Sequence, residues 1–345
     1  MENQRNESYQ ERKKITLLNV KELSLERKYA QLYKKSLEGS FIANVRGKAL
    51  KQKINKIGML KTYEEQSQLF QALRNTKYEP FIRSLIQEFE QNSYQENLQS
   101  LTNISSDLAV MKETTLDFYE TLKDSKVIKE SQTILKEKNL GESIDAFPNR
   151  KIGKMYYNYL EGTSSFMMKP TNTIYDYWVY QWLSAKCCAH HIASQDVNIS
   201  NQAFLSTVPA FLNLIFVDDL AKKMHRDEEF VTVKKMYHHQ VAKKIIFSEW
   251  VQRIFDYAIH SGCPDFKNAK DIGISLVSEW TNLFTAFAGY SLFKIWQEDP
   301  RTAMQMLDVY INNFSQVSQT FDLSLIGISN QDVLKYTRDF GKYGK

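Results

Sequence analysis

Along this chain apolar residues return at three- and four-residue steps in segment after segment, the spacing of one helix face. Segments 15–37 and 63–75 show it against a background of Lys, Glu, Gln and Asn, and Pro80 introduces a further short helix, FIRSLIQEFEQ. After a polar link at 92–106, residues 107–138 read as one long helix or a broken pair, with Ser105, Ser106 or Asp107 as N-cap candidates. Further helices are predicted near 173–195, 203–225, 228–261, 268–297 and 300–320. Asp299 in the cap position and Pro300 in the first turn announce the last of these.

Composition supports the same picture. The chain of 345 residues holds only 12 Gly and 6 Pro, too few for the many tight turns of a sandwich, barrel or doubly wound sheet. The predicted fold is all-α: a charged helical N-terminal part followed by an aromatic-rich helical C-terminal bundle. The change of character comes near residue 146. Residues 1–145 contain 12 of the 44 aromatic residues and none of the five Trp, so the core is expected in 146–345 and a helical region or arm in 1–145.

One stretch looks like chemistry: AKCCAHHIAS, residues 185–194. On a helix, Ile174, Trp178, Trp182, Ala185, Ala189 and Ile192 form a stripe that must pack against protein. Cys187 and His191, four apart on the other side, make half of a zinc site. His260 and Cys263 are the best candidates for the other half, and His239 is spoiled by Lys235 and Lys243 one turn away. Buried cysteines in an ordinary helix are the preferred reading, with no metal and no cofactor expected. Asp218–Asp219 suggests a magnesium site, but Lys222 and Lys223 stand where further acids are needed, so surface ion pairs are expected instead. A phosphate loop, a G-x-S-x-G elbow and an H-E-x-x-H pair are all missing from the sequence.

Charge then changes the functional picture. Residues 27–61 carry ten Lys or Arg and one Glu, although the whole chain is only +5. Such asymmetry is the footprint of a polyanion surface, and equally of a plain solvated face. Arg46, Lys48, Lys51, Lys53 and Lys56 are the nucleic-acid-binding candidates there. Arg150, Lys151 and Lys154 beside Tyr156 and Tyr157 form a second candidate surface, pairing positive charge with rings on which bases stack.

The leading expectation is therefore a non-enzymatic helical assembly protein, coat- or nucleocapsid-like, binding RNA or another polyanion and forming homo-oligomers. A membrane-active, pore-forming helical protein is the alternative, using 208–217 and 280–293 with the Lys-rich helix against anionic lipid. A metal-dependent helical enzyme using some of Cys187, His191, Asp218, Asp219, His260 and Cys263 is the third. A polar N-terminus, three cysteines that do not read as a disulfide framework and no run of about 18 apolar residues give an expected cytoplasmic setting without signal peptide or conventional transmembrane helix.

Overall fold

A computed structural model describes residues 2–73, 78–89, 101, 104, 107–122, 125–137, 140–144, 153–158, 160–193, 199–260 and 266–342. It is all-α in character, with eleven α-helices and one three-stranded sheet among the described residues. Helices α1 (Glu2–Leu37) and α2 (Phe41–Leu73) form an antiparallel hairpin. Its turn passes through Gly39 at φ +92, left-handed backbone that glycine adopts without a Cβ clash. Short helices α3 (Tyr78–Glu88), α4 (Leu108–Thr121) and α5 (Lys126–Lys136) follow. The body is built from α6 (Tyr175–Ile192), α7 (Thr207–Met224), α8 (Asp227–His260), α9 (Phe266–Glu298), α10 (Pro300–Thr320) and α11 (Asn330–Lys342).

The predicted caps are in place. Asp107 accepts hydrogen bonds from the amides of Ala109 and Val110, and Asp299 does the same for Arg301 and Thr302 ahead of Pro300. Residues 107–138 form the broken pair α4–α5. The start of α5 is held from far away: the Asp308 carboxylate on α10 accepts from the Ser125 hydroxyl and from the amides of Lys126 and Val127. A carboxylate at a helix N-terminus satisfies orphan donors and complements the dipole, so this contact ties α5 to α10.

Helical periodicity missed the sheet. Strands β1 (Leu140–Ile144), β2 (Gly153–Asn158) and β3 (Thr163–Met168) run in the order β1-β3-β2, with β1 parallel and β2 antiparallel to β3. Period-two alternation sorts β2 between two helices. Gly153 and Tyr157 face α6, where Gly153 sits against Val179 and Leu183 so closely that a Cβ would collide with Leu183. Lys154 and Tyr156 face α1, where Tyr156 and Met167 pack with Leu23. Both faces are covered, so the strand shows no simple polar–apolar alternation to a sequence reader.

The buried core draws from both sides of residue 146: Phe89, Phe118, Tyr119, Ile128 and Leu135 pack in one cluster with Tyr180, Phe211, Phe284 and Phe293. At its centre α9 crosses α7 at Gly289, whose absent Cβ would lie 2.6 Å from that of Ala210 and 2.9 Å from backbone. One described segment, Gln202–Met224, is long and apolar enough to cross a membrane, but 83% of it is buried inside the body, as a core helix must be.

Candidate functional site

Helix α6 was expected to pack its stripe from Ile174 to Ile192 against protein and to bury its cysteines. Almost its whole circumference is buried, from Tyr175 to His190, because the sheet covers one flank and α7 and α5 the others. A buried carboxylate sets its start. Asp176 accepts from the Thr171 and Asn172 amides and the Thr171 hydroxyl, fixing the turn that delivers the helix into the core.

Toward α8 and α9 that helix presents Tyr175, Trp178 and Trp182, residues spaced to share a face. Tyr175 stacks on Trp178 (centroids 5.2 Å, planes 10° apart) and Trp178 on Trp182 (5.4 Å, 26°). Tyr237 from α8 lies against both indoles, at 5.8 and 6.1 Å. These rings wall a groove of about 600 Å³, completed by Gln240, Val241 and Lys244 of α8, Asn282, Thr285 and Ala286 of α9, Ser206, Lys186, and Gly153 at the rim.

The polar groups of the groove are few and placed. Gln240 donates to the Tyr175 hydroxyl at 2.8 Å. The Tyr237 hydroxyl is buried and has no hydrogen-bond partner among the described residues. Burial lowers the pKa of Lys244, and Glu279 opposes that shift across α9; burial raises Glu279 in turn. Lys186 and Lys244 are the cations of the lining, and Glu279 acts on Lys244 from α9. Chemically, the groove offers an aromatic wall, an unsatisfied hydroxyl and positive charge.

The cysteine–histidine run of α6 lies on the opposite flank. Burial pushes the Cys187 thiol up to about 12 and Cys188 higher still, and Cys188 donates to the Ser131 carbonyl at 3.7 Å. Metal binding needs the thiolate, which this environment disfavours. His190 and His191 pack around Tyr157, with centroids at 5.4 and 5.9 Å. Burial holds His190 well below its ordinary pKa, reinforced by Lys186 and Lys61, and burial lowers His191. Among the described residues no three His, Cys, Asp or Glu side chains converge as a metal site would require. The His260 side chain and Cys263 lie outside the described residues. Asp219 pairs with Lys223 at 2.8 Å and Asp218 with Lys234, as expected for surface ion pairs, although the second partner comes from α8.

The proposed nucleic-acid contacts divide. Arg46, Lys48, Lys51, Lys53 and Lys56 are exposed on α2. Arg150 and Lys151 lie outside the described residues. Lys154, Tyr156 and Tyr157 need correction. The Lys154 ammonium pairs with Glu22 and Glu26, which are only 1% and 2% exposed, and both tyrosines are buried between sheet and helices. No ring there is free for a base to stack on.

Sequence reasoning did not find the groove. Its α8 residues, Tyr237, Gln240 and Lys244, are spaced as one helical face but look like a solvated surface. Only their meeting with α6 and α9, distant in sequence, gives them a role.

No family model matches the chain, and no curated protein matches it. Among solved structures it is similar to one described as an oligoendopeptidase F from Bacillus anthracis str. Ames, at 12% identity and TM-score 0.49, over 88% of this chain and 63% of that one. A second structure, also described as an oligoendopeptidase F, gives 10% identity and TM-score 0.45 over 90% and 65%. The chain thus spans less than two thirds of either. Both are described as enzymes and neither as a coat, capsid or nucleocapsid protein. The expectation of a non-enzymatic, RNA-binding coat-like assembly protein is at odds with both descriptions.

Proposed function

We propose that the chain handles short peptides, and that the groove between α6, α8 and α9 is where a peptide binds. An apolar or aromatic side chain of the peptide lies against Trp178 and Trp182, a backbone carbonyl accepts from the Tyr237 hydroxyl, and a carboxylate faces Lys244. The observation carrying this reading is the buried Tyr237 hydroxyl, unpartnered among the described residues, set between an aromatic wall and Lys244. Binding sites of this kind are apolar clefts with a few polar groups that fix orientation. Ligands need only supply a ring, a hydrogen-bond acceptor and a negative end. The buried free thiols of Cys187 and Cys188 support placing the protein in a reducing, cytoplasmic compartment.

Binding of N-acetylated phenylalanine-containing tripeptides, followed by tryptophan fluorescence, tests the reading. The free acid is expected to bind about tenfold more tightly than its C-terminal amide, equivalent to about 1.4 kcal/mol. Lys244→Met is expected to abolish that preference, and Trp182→Ala to weaken both ligands. Equal binding of acid and amide to the native protein would remove the proposed orientation. Mass spectrometry of the same incubations reads whether bound peptides are also cleaved.

A further inference from the structure

The far end of the α1–α2 hairpin carries an apolar tip that nothing among the described residues covers. On α1, Tyr33 and Leu37 are one turn apart and share a face; across the turn, Phe41, Ile42 and Val45 lie in the first two turns of α2. Leu37 is 72% exposed, Phe41 77% and Ile42 64%. The loop is defined: Gly39 takes the left-handed conformation and the Ser40 hydroxyl accepts from the Ala43 amide. Folding therefore holds these side chains out; they are not a frayed end.

A collar of cations surrounds them. Lys34 and Lys35 precede the tip, and Arg46 and Lys48 follow it, all exposed, against a single acid, Glu38. At 1.5 Å of rise per residue, Arg46 and Lys48 lie roughly 8–10 Å behind Phe41 along α2. That offset matches the roughly 5–10 Å to which interfacial apolar side chains enter a bilayer, leaving the cations at headgroup level.

We infer that the hairpin tip docks on an anionic lipid surface, with Leu37, Phe41 and Ile42 entering the interface and the lysine–arginine collar meeting the lipid phosphates. A second copy of the chain fits poorly, because pairing two tips brings two cationic collars together. A nucleic-acid backbone would reward the charges but not the bare apolar side chains between them. The inference is independent of the peptide groove, which lies in the body.

Flotation of the full chain with vesicles tests it. Vesicles containing phosphatidylserine are expected to carry the protein at least tenfold more efficiently than pure phosphatidylcholine vesicles, with the difference shrinking in high salt. Phe41→Ser combined with Ile42→Ser is expected to abolish flotation, and Lys34, Lys35, Arg46 and Lys48 changed together to Gln to remove the lipid preference. Circular dichroism and peptide binding should be unchanged in both variants, since every altered residue is exposed. Equal flotation with neutral and anionic vesicles, or full flotation of the Phe41/Ile42 variant, overturns the inference. So does a concentration-dependent dimer dissolved by that variant, which would assign the tip to a second copy.

Discussion

The hairpin and the body are both helical, yet different forces hold them. In the body, rings and aliphatics interlock: Phe204, Phe284 and Phe321 meet at 5.0–5.7 Å, and Tyr290 stacks on Phe340 at 4.4 Å. Where the hairpin meets the sheet, the specific bonds are polar. Lys154 is clamped by Glu22 and Glu26, and Asn19 donates to the Tyr157 carbonyl at 2.7 Å. Apolar packing is forgiving of small shifts; a buried ion cluster is strong only while every member stays. The hairpin should therefore come away more abruptly than the body unfolds.

The largest test removes the cation of that cluster. Lys154→Met leaves two buried carboxylates facing each other and is expected to cost about 3–5 kcal/mol. Limited proteolysis should then cut α1 and α2 before α6–α11. Adding Glu22→Gln and Glu26→Gln to the same variant should restore much of the loss; resistance unchanged in the single variant would refute the polar latch.

In the body the matching lesion is steric. Gly289→Ala pushes a methyl into α7 and is expected to lower stability by about 1–3 kcal/mol, the usual cost of overpacking. Denaturant unfolding followed by tryptophan fluorescence reads it, and the protease sensitivity of the hairpin should not change.

Acid sharpens the comparison, because one buried histidine sits at each place. His190 lies near Lys61 of the hairpin, Lys186, His191 and Gln202; His238 stacks on Phe89 and bonds the Gly341 carbonyl at 3.1 Å. Burial lowers both pKa values below the ordinary 6.5. Above that value neither the folded nor the unfolded chain holds the proton, and stability is complete. As pH falls below it the unfolded chain is protonated first, so stability declines by about 1.4 kcal/mol per pH unit for each histidine still neutral in the folded state. His190→Gln should flatten the pH dependence of hairpin release, and His238→Gln that of body unfolding.

The smallest expected effect is at a cap. Asp107→Ala removes the acceptor for two amides and should cost about 1 kcal/mol, seen as a small drop in the unfolding midpoint.

That cap was also among the features a reader of the sequence alone can find. Asp107, Asp299 and Pro300 act within one turn of themselves, so local spacing reveals them, and scarce Gly and Pro reveal a helical fold. The sheet stayed hidden because a six-residue strand covered on both faces has no periodicity to show. For the same reason Lys154 looked like an outward cation: only the pleat turns it toward Glu22 and Glu26, more than a hundred residues earlier. The groove was hidden more deeply still. Trp178 and Trp182 were recognised as a packed stripe, but a stripe facing a cavity and one facing solid core have the same spacing.

The crossing at Gly289 has a bearing on ligand choice. Thr285 and Asn282 stand one and two turns before it on α9, along the wall of the groove. With no Cβ between them at this point, α9 lies directly against α7, which anchors the α9 wall of the groove. A guest must therefore fit the groove of about 600 Å³ as the fold presents it, with little give from the α9 wall.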